Sequence, residues 1–276
     1  TQTIIGMAQN FVGSNNINLL SPCGQFGTRL MGGKDAASPR YVFTKLEQIT
    51  RCIFHPDDDA LLTYLDDDGQ SIEPSCYVPV IPMVLVNGSE GIGTGWSSTV
   101  PTYNPRQIIQ NLRLMIRGEE PEEMHPWYRG FQGEVRPKIG KEFGSYSISG
   151  IVEQRDESTV VISELPVKKW TTDYKQFLEG ALIGGPAKDA NDNTPTAAPF
   201  VKDFKENHTD TTVLFTVTLP PEKMQEACNT EKGGLLKKFK LETSTAITNM
   251  HLFDMDGQIH KYESALDIIR KFYDIR

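Results

Sequence analysis

"GGKDAASPRYVFT", residues 32–44, is the stretch on which the reading of this chain turns. It sets two glycines, Lys34, Pro39 and the pair Arg40-Tyr41 close together. A tyrosine usually packs its ring and leaves its hydroxyl at a wet edge. Here a small-residue loop delivers it and cations flank it. Either Tyr41 is a half-buried strand residue, or its oxygen is offered to a phosphate.

The surrounding pattern supplies a frame. "TQTIIGMAQNFVGSNN" (1–16) reads as the end of a helix, with Gly13 as its stop. Strands around Arg29–Met31 and Arg40–Phe43 are expected to pair as a hairpin with its tip at 32–39. Phe43, Leu46, Ile49, Ile53 and Phe54 then follow helical spacing. Helix, glycine-rich hairpin and helix together are compatible with a winged-helix unit.

Further on, "SCYVPVIPMVLVNGSEGIGTGWSSTVP" (75–101) reads as a strand-like apolar run ending in a glycine loop. Asn104-Pro105 is a helix start, and Ile108, Ile109, Leu112, Met115 and Ile116 its buried face up to Gly118. Strands are expected at Tyr146–Val152, Thr159–Leu165 and Thr211–Leu219. Helices are expected near Thr172–Leu182, Pro199–Asn207, Pro221–Cys228 and Ser264–Ile275. Asp256-Gly257 signals a hairpin. Residues 184–199 read as a surface insertion rich in Gly, Pro, Asn and Asp.

The 276 residues are 38% apolar and 23% charged, as in a soluble globular protein. No apolar run approaches the roughly 20 residues needed to span a bilayer. Thr1 begins in mid-pattern, so the chain is expected to be a piece of a longer protein. Four scattered cysteines lack C-x-x-C spacing, which argues against zinc and a disulfide framework. The five histidines form no metal-binding cluster.

Net charge is −8, but its distribution matters more. Residues 1–51 carry five Lys or Arg against two acids, whereas 52–91 carry eight acids and no Lys or Arg. Within the acidic block, "HPDDDALLTYLDDDGQ" (55–70) reads as a solvated hairpin tip rather than a metal site.

The chemistry Tyr41 could perform makes demands on its neighbours. A tyrosine can attack phosphorus and hold a nucleic-acid strand as a phosphotyrosine. The transition state gains negative charge, so a fixed cation must lie close. Arg40 offers a planar fork matched to phosphate oxygens. Successive strand residues face opposite sides, so Arg40 and Tyr41 need a local bend, or a partner's help, to share one phosphate. Lys34 and Arg29 could hold flanking phosphates.

"NGSEGIGTGW" (87–96) leaves Ile92 between glycines. It is either tucked into the core or presented as an apolar wedge for a base step. "PVKKW" ends a strand with Lys168 and Trp170 suited to phosphate and sugar, or else with a buried Trp170 and two solvated lysines.

"AQNFVGSNN", "GQFGTRLMGGKDAASPRYVFT", "IPMVLVNGSEGIGTGWS" and "ELPVKKW" resemble, in order, blocks of the breakage–rejoining region of eukaryotic type II DNA topoisomerases. The resemblance covers nearly the whole chain. It implies an α+β fold: a winged-helix (catabolite-activator-like) domain at 1–88, a tower domain at 89–262, and the start of a coiled-coil arm at 263–276. It implies that Tyr41 attaches to a 5′ phosphate, that Arg40 stabilises the transition state and that Ile92 intercalates to bend the duplex. It also implies a DNA-contact stretch from Lys240 to Asn249, including Thr243, Ser244 and Thr245.

The implied enzyme is an ATP-dependent nuclear homodimer acting on double-stranded DNA. Its Mg²⁺ comes from an upstream domain supplied in trans and its ATP from another domain, so no metal site is expected in these residues. Departures from the family pattern at Ser97-Ser98, 57–68 and 184–199 are expected to leave the motifs untouched. Two other readings remain: a non-catalytic DNA-bending module of the same fold, and an interaction domain without a nucleic-acid role.

Overall fold

The computed structural model describes residues 1–138, 144–183, 199–229, 233–254 and 256–276. Within them the architecture is mixed helix and sheet, an α+β arrangement. The insertion expected at 184–199 lies outside the described residues except for Pro199. Among the described residues no helix is long and apolar enough to cross a membrane.

The chain opens with helix α1, Gln2–Ala8. It stops before Gly13 because Asn15 Nδ2 donates to the open carbonyls of Gly6 and Gln9, at 2.6 and 2.9 Å. Residues 9–49 are mostly turns and extended chain. The expected hairpin of Arg29–Met31 with Arg40–Phe43 does not form. Residues 29–35 are turns, and Pro39–Tyr41 is a single 3₁₀ turn. Phe43 and Leu46 instead bridge antiparallel to Cys23 and Leu20.

The expected helix after Tyr41 is cut down to α2, Thr50–Ile53, and Phe43, Leu46 and Ile49 stand exposed. The acidic block holds a 3₁₀ helix, Pro56–Leu61, then a hairpin of β1 (Tyr64–Asp67) and β2 (Gln70–Pro74). Its turn is Asp68-Gly69, both at positive φ.

The apolar run that read as a strand is a helix at its centre, α3 (Met83–Asn87), entered through Pro82. A hairpin follows, β3 (Ser89–Ile92) against β4 (Ser97–Val100). Helix α4, Pro105–Ile116, begins as its sequence dictates. Asn104 Oδ1 accepts the Arg106 N–H at 3.0 Å, and Pro105 lacks the N–H that would be orphaned. Ile108 and Leu114 are buried along one face, and buried Asn111 clips the returning chain at Glu122 through two hydrogen bonds.

Strands β5 (Glu134–Pro137) and β6 (Ser145–Ser149) form a small sheet with β11 (Glu242–Ala246). The strand expected over 146–152 is two strands. It breaks at Gly150, where a side chain would collide with the Glu164 carbonyl, and continues as β7 (Ile151–Gln154). The larger sheet has the order β7, β8 (Thr159–Glu164), β10 (Phe215–Thr218), β9 (Asp203–Glu206), all antiparallel. The helix expected at 199–207 is thus an edge strand.

Val160, Ile162, Phe215 and Val217 alternate inward from this sheet. They pack on α5 (Thr171–Ile183), α6 (Pro221–Cys228) and α7 (Gly234–Lys238) through Tyr174, Leu178, Met224 and Leu235. Burying each such apolar side chain stabilises by about 1.5–3 kcal/mol. Tyr174 keeps its hydroxyl satisfied by donating to the Phe239 carbonyl at 2.9 Å.

The last elements are a hairpin of β12 (Met250–Phe253) with β13 (Ile259–Tyr262), then α8, Ala265–Ile275. Ser264 and Asp267 close a reciprocal capping box at the start of α8. Ala265, Ile268 and Ile269 share one core with Ile81, Leu85, Tyr103, Ile108 and Met250. Residues far apart in sequence therefore form a single scaffold beneath the β3–β4 hairpin.

Candidate active site and nucleic-acid surface

The 3₁₀ turn supplies the bend that a strand lacks. It advances about three residues per turn, so neighbouring side chains are splayed by roughly a third of a circle rather than opposed. Tyr41 ends the turn and is 71% exposed. Its ring lies 5.9 Å from the Arg40 guanidinium carbon, within cation–π range. Arg40 and Lys34 are exposed. The strand reading of Tyr41 is therefore wrong, and the presented reading fits its placement.

The preceding loop is held from inside. Asp35 Oδ1 accepts the Thr28 N–H at 2.8 Å, its Oδ2 accepts the Thr28 hydroxyl at 2.5 Å, and the Ala37 N–H donates to the Gln25 carbonyl at 2.9 Å. Pro39 and the Tyr41 N–H, which donates to the Ser38 carbonyl at 2.9 Å, then set the turn. Just after Tyr41, Phe43 exchanges both backbone hydrogen bonds with Cys23.

The same loop is also fastened to the second half of the chain, and here one expectation is corrected. Arg29 is not a surface cation: it is 4% exposed and paired with Glu164, itself 2% exposed. Its guanidinium also donates to the Leu165 carbonyl, at 3.3 Å. Glu164 additionally accepts the N–H groups of Gln132 and Leu165, so both oxygens of the buried carboxylate have partners. An arginine so enclosed does not reach a phosphate.

Trp170 is a clamp as well. A side chain at Gly32, whose φ is +61°, would collide with the indole, so the ring lies directly on the glycine backbone. Phe11 meets the indole edge-on, and the Thr172 N–H donates to the Leu30 carbonyl at 3.0 Å. Sequence reasoning missed Glu164. The available signal was a carboxylate closing a strand with the apolar centre Val160-Val161-Ile162.

Ile92 stands at the tip of the β3–β4 hairpin and is 92% exposed, which excludes the tucked-in alternative. The hairpin is braced from the far end of the chain. The Thr99 N–H donates to the Asn249 carbonyl at 2.8 Å, and Asn249 Nδ2 donates to Ser97 Oγ at 2.8 Å. Ser98 Oγ donates to the His251 carbonyl at 2.7 Å, and Trp96 meets the His251 ring edge-on. Ser97 and Ser98, expected to leave the motifs untouched, in fact tie the Ile92 hairpin to β12.

Lys168 ion-pairs with Glu90 of the same hairpin. Thr245 hydrogen-bonds Tyr128, a tyrosine that burial pushes up to about 12 against the pull of that bond, with the Glu90 carboxylate adding to the rise. Lys240 is exposed and holds its ammonium 5.1 Å from the Phe177 ring centroid. Its carbonyl accepts from Lys169 Nζ at 2.6 Å. Burial, and secondarily the Lys240 charge, lowers the Lys169 pKa. Ser244 is exposed and Thr243 half-buried on β11.

Lys168 and Asn249 are thus connected to the Ile92 hairpin, whereas Thr245 sits on β11 beside Tyr128 and Trp170 lies against the Tyr41 loop. Among the described residues no group of three acid, His or Cys side chains could hold a metal ion. Asp59 and Asp58 are paired with Arg51 and Arg276.

Comparison with known proteins accords with this geometry. The chain is 52% identical over 275 residues to DNA topoisomerase 2 of Pisum sativum, covering 99% of this chain and 18% of that protein. It is 49% identical over 274 residues to DNA topoisomerase 2-alpha of Homo sapiens, covering 99% and 17%. The chain therefore spans less than a fifth of the length of these relatives. The crystal structure of the Plasmodium falciparum topoisomerase II DNA-binding, cleavage and re-ligation domain superposes with a TM-score of 0.88 at 46% identity, over 99% of this chain and 35% of that one. Residues 1–276 match the model of the DNA gyrase/topoisomerase IV family (its A-type subunit), and the chain belongs to that family.

Proposed function

We propose that this chain is the DNA-cleaving core of a type II topoisomerase. Tyr41 Oη attacks a backbone phosphorus and the P–O3′ bond breaks. The enzyme is then joined to the 5′ phosphate, and the phenol proton ends, net, on the departing 3′ oxygen. Attack by that 3′ hydroxyl reverses the step, so bond energy is conserved while a second duplex passes through. Arg40 stabilises the charge that builds on the equatorial phosphate oxygens. Ile92 enters a base step and kinks the cleaved duplex. Lys34, Lys168, Lys240, Thr243, Ser244, Thr245 and Asn249 contact its backbone.

The observation that carries this reading is the exposed Tyr41 beside Arg40, on a turn locked to the rest of the fold. The Plasmodium falciparum relative, a DNA-binding, cleavage and re-ligation domain, supports it. We assign residues 1–88 to a winged-helix unit, 89–262 to a tower and 263–276 to the start of a coiled-coil arm. A second copy of the chain completes the pair of cuts, and the enzyme works in the nucleus. Mg²⁺ and ATP are assigned to domains outside residues 1–276, the former acting in trans.

The test is a covalent adduct. The chain is combined with a metal-binding domain of a homologous enzyme, Mg²⁺ and 3′-labelled duplex, and protein–DNA species resistant to denaturant are measured. The native chain forms the adduct and Tyr41→Phe does not, while its stability changes by under about 0.5 kcal/mol because the side chain is exposed. An adduct that persists in Tyr41→Phe overturns the assignment. Bent DNA with no adduct from the native chain replaces it with the non-catalytic bending module.

A further inference from the structure

Glu90 occupies an unexpected position for a surface that meets DNA. In a strand, residues two apart share a face, so Glu90 points to the same side of β3 as Ile92. The face that carries the wedge therefore also carries a carboxylate, close to where phosphates must come. That carboxylate is not free: Lys168 ion-pairs with it across 78 positions of sequence. Both side chains remain largely solvent-accessible, so the pair is open to competition from another anion.

Lys168 reaches Glu90 from a left-handed backbone, φ +65°. This conformation costs a residue with a Cβ about 1–2 kcal/mol, and such outliers persist where the surroundings impose them. The surroundings here are Pro166, whose carbonyl accepts the Lys169 N–H at 3.0 Å, and Lys169, anchored on the Lys240 carbonyl. The lysine is thus aimed at the hairpin by its backbone. Glu90 lies opposite Thr99 across the hairpin, and its charge reaches Tyr128, which is buried and uncharged at neutral pH.

We propose that Glu90 stands in for a phosphate. It holds Lys168 against the wedge hairpin in the free protein and releases it to the DNA backbone when the duplex seats on Ile92. The inference deepens the DNA-binding reading above and rests on it. Glu90 is a positioning residue: it keeps a cation ordered at the wedge, and it sets a threshold, because DNA must outcompete a carboxylate to gain that contact. A backbone phosphate presented at Ile92 meets this condition. A free inorganic anion lacks the accompanying base step.

The experiment is a double-mutant cycle on equilibrium binding of a short duplex, over 50–200 mM salt, with the native chain, Glu90→Gln, Lys168→Met and the double variant. Thermal unfolding of all four checks that folding is preserved. Glu90→Gln tightens binding about three- to fivefold, the scale of an exposed ion pair. Lys168→Met weakens binding and makes the slope of log K against log salt shallower by about 0.9. In the Lys168→Met background, Glu90→Gln changes affinity by less than about twofold.

Equal tightening in both backgrounds overturns the proposal, since the carboxylate would then act only by repelling DNA. So does an unchanged affinity in Glu90→Gln. If the native chain shows no salt-dependent binding, the parent DNA-binding reading falls as well, which separates the two failures.

Discussion

Replacing Arg29 by methionine discriminates sharply between two roles for that cation. In the structure its guanidinium is buried against Glu164 and the Leu165 carbonyl. Removing it leaves a carboxylate, 2% exposed, with only the Gln132 and Leu165 N–H groups for compensation. Stranding a buried charge in this way costs about 3–5 kcal/mol. For a chain of this size that corresponds to a fall in Tm of about 6–20 °C. Adding Glu164→Gln in the same molecule removes the stranded charge and keeps an acceptor oxygen for one of the two backbone donors, which bond to different carboxylate oxygens. The double variant should therefore recover part of the loss, the remaining backbone donor going unpaired. Thermal unfolding of the native chain, Arg29→Met and Arg29→Met/Glu164→Gln measures this. DNA binding, read below the unfolding temperature, should be nearly unchanged in both variants. The reasoning is refuted if Arg29→Met loses less than about 1 kcal/mol while weakening DNA binding tenfold, because that is the behaviour of a phosphate contact.

Two further outcomes follow from the packing. Gly32→Ala places a methyl group against the Trp170 indole at a backbone angle that disfavours any side chain. It should destabilise by about 1–3 kcal/mol and lower adduct formation by Tyr41 in the denaturant-resistant assay. Trp170→Ala in the same chain relieves the clash, so the two losses should be less than additive. At alkaline pH the buried tyrosines set the limit. Burial raises the pKa of Tyr103, Tyr128 and Tyr174, with Tyr128 pushed up to about 12. A group whose folded pKa is raised stabilises fully below its unfolded value and loses that contribution as pH climbs towards the folded one. Unfolding free energy should therefore decline from about pH 10, the ordinary phenol pKa, and continue falling through about pH 12. Denaturant titrations at stepped pH measure it, and a flat profile over that window would contradict the burial.

The parts of the fold legible in the sequence were those specified by local chemistry. Asn104-Pro105 started α4, Ser264 with Asp267 capped α8, and Asp256-Gly257 marked the β12–β13 turn. The misread parts were settled by distant partners. Residues 199–207 contain Phe200, Val201 and Phe204 at a spacing that suits a helix, yet the neighbouring β10 recruits 203–206 as an edge strand. The apolar run before Asn87 was too short for periodicity to separate strand from helix. At the site, the exposed pair Arg40-Tyr41 and the exposed Ile92 stood out because nothing in the core needs them. Arg29 misled for the opposite reason. A cation near an exposed tyrosine looks like a ligand contact, and only the position of Glu164 identifies it as a fastener; for Trp170 the sequence left packing and contact both open, and the Gly32 backbone shows the packing.

The link between Arg29 and Glu164 has a mechanical consequence. It joins the base of the tyrosine loop to the end of β8, and Trp170 and Thr172 rivet the same loop a few residues further on. The loop that carries Tyr41 is thereby fixed to the four-stranded sheet at several points. Under the proposed function, opening a cut duplex carries loop and sheet together as one lever, with its pivot outside this riveted block.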